Sequence, residues 1–197
     1  MRKVNSVITA AAVIIIGGAL YACNSAATKD EKKAPIPTNA EMVKRGEYLV
    51  ASIGCDDCHS PKRMGPKGPE VIPEQRLSGY PANRPIQKPD PNASKGGYTL
   101  FGPDLTLAIG PWGVSFAANI TSDPTGIGNW TEHNFITAMR TGKMKGLENG
   151  RPMLPPMPWF NLKNLTDEDL KSIFAYLKET PAVPNIVPAP KQLADLK

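Results

Sequence analysis

Histidine and cysteine are scarce in this chain. There are two histidines, His59 and His133, and three cysteines, Cys23, Cys55 and Cys58. No disulfide framework is left to assign, because two of the thiols share one short motif and the third ends an apolar N-terminal segment. Aromatic residues are also few, at 7%, and hydrophobic residues make up 41% of the 197 positions. That is a modest core for the length, and a buried apolar ligand would enlarge it. No run of basic residues is interleaved with aromatics, so nucleic acid is excluded as a partner, and the formal charge of +5 is only a mild excess. There is no internal repeat, and one domain is the default for this length. Proline and glycine are what the chain has in quantity, 21 and 17 residues, so much of it is expected to be loop.

The chemistry is concentrated in Cys55-Asp56-Asp57-Cys58-His59. Cys-x-x-Cys-His is the pattern at which haem c is attached covalently. Two thiols three positions apart reach the two vinyl groups of one porphyrin. The adjacent His59 then lies under the ring, where its imidazole takes an axial position on iron. The motif occurs once, so one haem c is expected. A structural zinc site would need a spaced fourth ligand that the sequence does not supply. A thioredoxin-like site would need a strand–helix–strand pattern around the cysteines, which is also missing.

Arg2 and Lys3 precede an apolar stretch from Val4 to Leu20, the plan of a secretory signal. Leu20-Tyr21-Ala22-Cys23 resembles a bacterial lipobox. The favoured reading is a lipoprotein signal peptide over 1–22, lipidation of Cys23, and a polar, proline-containing linker over 23–39. An uncleaved membrane anchor and a plain soluble signal are the alternatives. All three put the domain outside the cytoplasm, and the first two tether it to a membrane.

Three helices are predicted. The first runs from Ala40 to Ile53, with Met42, Val43, Leu49, Val50 and Ile53 as its apolar stripe. The second follows Trp130, with Thr131 as N-cap and Gly142 as its end. The third has Thr166 as N-cap, acidic residues in its first turn, and Leu170, Ile173, Phe174 and Leu177 at i, i+3, i+4 and i+7. Between motif and second helix, 60–128 has no sustained period and is expected to wrap the haem in turns, with at most a small hairpin. The fold class is thus mostly α, a haem-wrapping domain over 40–180 with long Pro/Gly-rich loops. A Pro-rich tail over 181–197 is expected to run extended over the surface.

His59 leaves one iron position open, and a methionine thioether is a common partner there. Met64 is too near His59 to reach the other face easily, Met139 lies on a helix face, and Met144 has no support. Met153 and Met157 lie in Arg151-Pro-Met-Leu-Pro-Pro-Met-Pro-Trp159, where prolines stiffen the backbone. Met157, with Pro156 and Pro158 on either side, is favoured, and Met153 is second. His133 reads as a surface histidine. A sixth position left open or exchangeable would instead indicate a haem peroxidase or gas sensor.

Together these features resemble class I c-type cytochromes over roughly 40–180. Five blocks in order narrow the resemblance: Arg45–Leu49, Asn119–Asp123, Thr125–Trp130, Pro155–Trp159 and Thr166–Leu170. They are similar to bacterial monohaem cytochromes related to the cytochrome subunits of membrane-bound dehydrogenases. The resemblance implies a one-electron carrier, not an enzyme, with redox-protein donor and acceptor and a possible place in a larger respiratory complex. It implies that Gly46 and Tyr176 meet where the first and last helices cross. It implies that Trp130 donates to a haem propionate, the alternative being a core tryptophan. It further implies that the Pro103 carbonyl, in Gly102-Pro-Asp-Leu105, accepts the N–H of His59, with Pro111 competing. Asp56, Asp57 and the positive stretch from Lys62 to Lys95 read as solvated surface.

Overall fold

The computed structural model describes residues 37–86 and 96–196. The signal peptide, Cys23 and most of the linker lie outside the described residues. Among those described, no helix is long and apolar enough to cross a membrane.

Helix α1 spans Asn39–Ile53. Thr38 and Glu41 form a reciprocal capping box at its start, and Gly54 ends it at φ 80°, a left-handed turn that suits glycine. The one-turn helix α2, Cys55–His59, follows at once. Helix α3, Glu132–Thr141, is capped by Thr131 with Asn134 answering, and stops at Gly142. A short α4, Trp159–Leu162, leads to α5, Asp167–Glu179, whose N-cap is Thr166 and whose first turn holds three acidic residues. All three predicted helices are therefore present.

The core is where α1, α3 and α5 meet. Leu49 and Val50 of α1, Phe135 and Ala138 of α3, and Leu170, Ile173 and Leu177 of α5 are buried together with Leu77 and Ile127 from the loops. The crossing of α1 and α5 is very close at Gly46. A Cβ there would overlap the Ser172 carbonyl and lie 2.7 Å from Tyr176 Cβ. The meeting of Gly46 and Tyr176 implied by the resemblance is thus observed.

The long loop region holds two small antiparallel sheets rather than one hairpin. Strands β1 (Lys62–Gly65) and β2 (Gly68–Val71) pair directly after the motif. Strands β3 (Leu100–Phe101), β4 (Leu107–Gly110) and β5 (Gly113–Phe116) form a meander with Ile109 opposite Val114. Their sequence signal is weak for a physical reason. The β4–β5 turn is buried along consecutive residues, Ala108 to Gly110 and Gly113 to Ser115, so no polar–apolar alternation arises.

A charged pair holds these loops together. Arg84 Nη1 donates to Asp104 Oδ2 at 2.6 Å, and the Asp104 side chain is 6% exposed. Burial pushes the Asp104 carboxyl up, but bonds from Arg84 and Thr106 outweigh it and hold the group below its ordinary value. Stability from this carboxylate is present above the unfolded value of about 3.9 and is lost as pH falls through the folded one. Asp104→Asn is therefore expected to cost about 2 kcal/mol at neutral pH. That is less than a fully buried pair would lose, because Arg84 keeps 33% of its side chain in water. Melting curves should show the gap to wild type closing below about pH 4. A gap independent of pH would show that the pair does not stabilise the fold through its charge.

The C-terminal tail runs without regular structure over 181–190, ends in a 3-10 turn at Leu193–Leu196 instead of staying extended throughout, and is fastened to the body. Val114 and Lys191 exchange backbone hydrogen bonds of 2.8 and 3.1 Å. The Asn185 amide donates to the carbonyls of Ser78 and Tyr80 at 2.6 and 2.9 Å.

Candidate functional site

The site begins where α1 ends. Gly54 turns the chain so that α2 starts at once, and Cys55 and Cys58 stand one helical turn apart with His59 at its last position. Both thiols are free and half-buried. Burial, then the neighbouring Asp56, pushes the Cys55 thiol up to about 11. Burial and Asp57 raise Cys58 as well. A redox-active Cys-x-x-Cys needs a depressed thiol instead, so the surroundings argue against thiol–disulfide chemistry.

His59 Nδ1 lies 2.7 Å from the Ala118 carbonyl oxygen. A carbonyl only accepts, so Nδ1 carries the proton. Burial lowers the imidazole's basicity and favours the neutral ring. Nε2 then keeps its lone pair. Two thiols on one turn and a neutral imidazole of fixed tautomer next to them fit covalent haem c, with Cys55 and Cys58 as attachment points and His59 Nε2 as donor to iron.

The acceptor is not the expected one. Pro103 sits exposed on the β3–β4 turn, where Leu105 N–H closes onto the Gly102 carbonyl at 3.0 Å. Pro111 is exposed on the β4–β5 turn. Asp104 is pulled inward by Arg84, which holds the Pro103 turn in that other contact. Ala118 takes the role instead. It directly precedes the Asn119–Asp123 block.

The motif's charges are also structural. Arg76 grips Asp56 with two bonds, Nε to Oδ1 at 2.9 Å and Nη2 to Oδ2 at 2.7 Å. Its third nitrogen, Nη1, donates to Tyr176 Oη at 2.6 Å. Asp56 accepts from Ser60 Oγ as well, and Ser60 Oγ accepts the Leu77 N–H. The attachment helix is thus tied to α5 through one bidentate pair. Lys62 Nζ donates to the carbonyls of Asp56, Asp57 and Ser60 at 3.0, 2.7 and 3.0 Å. It satisfies the open C-terminal end of α2 with a favourable charge. Reading Asp56, Lys62, Arg76 and Arg84 as solvated surface is therefore corrected. Asp56 and Arg76 lie 20 positions apart, as do Arg84 and Asp104, beyond any local pattern.

Met153 and Met157 are both half-buried against the helical core. Met153 N–H donates to the Gly142 carbonyl at 2.7 Å, joining its segment to the end of α3. Met157 is held in a turn, its N–H to Leu154 O at 3.3 Å and its carbonyl accepting from Trp159 N–H at 3.0 Å. Ser115 Oγ donates to Pro155 O at 2.6 Å and fastens this turn to β5. Met139 is buried in the core and Met64 is 74% exposed on the β1–β2 hairpin. His133 is exposed on α3 with Thr137 beside it. Trp130 packs against the core, and among the described residues no acceptor faces its indole N–H.

Comparison with known proteins agrees with this geometry. The cytochrome c family model matches residues 43–181. The chain is 31% identical over 160 residues to the fructose dehydrogenase cytochrome subunit of Gluconobacter japonicus, covering 80% of this chain and 25% of that one. It is 32% identical over 139 residues to the gluconate 2-dehydrogenase cytochrome c subunit of Pantoea cypripedii, covering 70% and 23%. It is 28% identical to the alcohol dehydrogenase (quinone) cytochrome c subunit of Gluconobacter oxydans, covering 68% and 20%. The chain thus spans a quarter or less of the length of these relatives. With a mostly helical fold around an attachment helix of the right chemistry, and a family match over most of its length, the chain belongs to the cytochrome c family.

Proposed function

We propose that this protein is a one-electron carrier holding a single haem c, with His59 and Met157 as axial ligands, tethered outside the cytoplasm through a lipid on Cys23. The observation that carries the reading is the His59–Ala118 hydrogen bond, which fixes a neutral imidazole beside two thiols on one helical turn. Haem c, when bound, supplies an iron that alternates between two oxidation states. The chain's own contribution is to hold the ligands still. Ala118 orients His59 and raises its basicity, Lys62 and Arg76 immobilise α2, and the prolines around Met157 restrict its backbone. Trp130, half-buried against the core and with no acceptor for its indole N–H among the described residues, suits a propionate oxygen. If His59 and Met157 both hold the iron, the group would supply electron exchange and offer no open position to a substrate. The relatives are named as cytochrome subunits of dehydrogenases, which supports a dehydrogenase as donor and a further redox protein as acceptor.

The native protein, purified from membranes, provides the test. The expected result is one iron per chain, haem retained on the denatured polypeptide, a ferric methionine–iron charge-transfer band and slow binding of cyanide. A high-spin ferric spectrum with rapid cyanide binding would overturn the carrier reading in favour of a peroxidase or gas sensor.

A further inference from the structure

We infer that the C-terminal tail is a positioning element for the axial histidine, with Asn185 as its key residue. The inference rests on His59 ligating the haem iron. The Ala118 carbonyl that receives the His59 N–H belongs to a strip of backbone clamped on two sides. On one side runs the 77–80 segment. Its Gly79 N–H donates to the His59 carbonyl at 2.7 Å, Tyr80 N–H to Ala117 O at 3.0 Å, and Leu77 O accepts from Ile120 N–H at 2.9 Å. The approach is so close that a Cβ on Gly79 would lie 2.6 Å from the Ala118 oxygen. On the other side stands the buried Asn119 side chain.

The tail holds both sides. Asn185 Nδ2 donates to Ser78 O at 2.6 Å and Tyr80 O at 2.9 Å, the two carbonyls flanking Gly79. Asn185 Oδ1 accepts from Ala82 N–H at 2.9 Å. Asn119 Nδ2 donates to the tail carbonyl of Val183 at 2.8 Å. Thr125 Oγ1 joins the two asparagines, accepting from Asn185 N–H at 3.0 Å and from Asn119 Nδ2 at 3.1 Å. A residue 126 positions beyond the histidine thus fixes the strip that carries its acceptor. Two independent bonds from one amide to the segment on one side, and one from Asn119 on the other, leave the Ala118 carbonyl little freedom to turn away.

A firm acceptor makes the imidazole a stronger donor and favours ferric iron. Loosening the tail weakens that bond and moves the equilibrium toward ferrous iron. Asn185→Ala is expected to shift it about threefold, a rise of about 28 mV at 59 mV per tenfold for one electron. In the ferrous protein, NMR should show the His59 Nδ1 proton exchanging several times faster. Thr125→Val should act in the same direction, while Thr125→Ser, which keeps the hydroxyl, should match wild type. Leu193→Ala, an exposed change in the same tail, serves as the control and should move neither readout. If Asn185→Ala fails to fold, the Thr125 pair decides. Variants that fold with attached haem yet keep the wild-type potential and exchange rate would overturn the inference. A wild-type spectrum lacking a histidine-ligated low-spin haem would instead overturn the ligation reading, before any variant is compared.

Discussion

Gly46→Ala should lower the stability of the haem-loaded protein by about 3 kcal/mol, or about 10 °C in melting temperature for a domain of this size. The sign is informative. Gly46 lies in the middle of α1, and by helix propensity alone alanine should add about 1 kcal/mol there. The crossing reverses this. The new Cβ would occupy the space of the Ser172 carbonyl, which is backbone in the middle of α5 and cannot swing aside as a flexible side chain would. The two helices must separate, and the Leu49, Val50, Leu170 and Ile173 contacts between them loosen together. Separation also shifts Tyr176, whose hydroxyl accepts from the Arg76 that grips Asp56. Denaturation followed by circular dichroism should therefore move in step with the haem absorbance. A variant as stable as wild type, or more stable, would show that the crossing tolerates a methyl group and that the contact is not tight in solution.

The same crossing shows which parts of this fold were legible in the sequence. α1, α3 and α5 could be located because each carries a periodic apolar face, to which α3 and α5 add a threonine cap and a glycine or proline stop. Cys55, Cys58 and His59 were legible because their chemistry fixes their spacing. The strands were not, since β4 and β5 are four residues each and buried without alternation. The acceptor for His59 was placed on the wrong loop because it is a backbone carbonyl. Ala118 contributes no side chain to the bond, so nothing in its identity distinguishes it from Pro103. The Arg76–Asp56 clamp was missed for another reason. An arginine and an aspartate 20 positions apart meet only once the 73–77 loop folds back on α2, and each alone looks like solvated charge. Local signals fix elements; the contacts that orient a ligand come from the topology.

Met157→Ala should abolish the ferric methionine–iron charge-transfer band and lower the reduction potential by on the order of 0.1–0.3 V, a fraction of the roughly 0.8 V that axial ligands span. Met153→Ala should keep the band and lose about 1–2 kcal/mol of stability, less than a fully buried methionine because the side chain is only half-buried. The assignment follows from how each backbone is committed. Met153 donates its N–H to the Gly142 carbonyl, and the neighbouring Pro152 pairs with Lys143, so that stretch is part of the wall that α3 builds. Met157 stands in a turn between Pro156 and Pro158, fastened to β5 by Ser115 and leading directly into α4. Such a turn fixes the position of the thioether through its backbone, which is what a ligand to iron requires, since the thioether is a weak donor and cannot itself organise the loop. Cyanide should accordingly bind Met157→Ala much faster than wild type, and Met153→Ala at nearly the wild-type rate. The reverse pattern, with the band lost in Met153→Ala alone, would transfer the ligand role to Met153 and leave Met157 as packing.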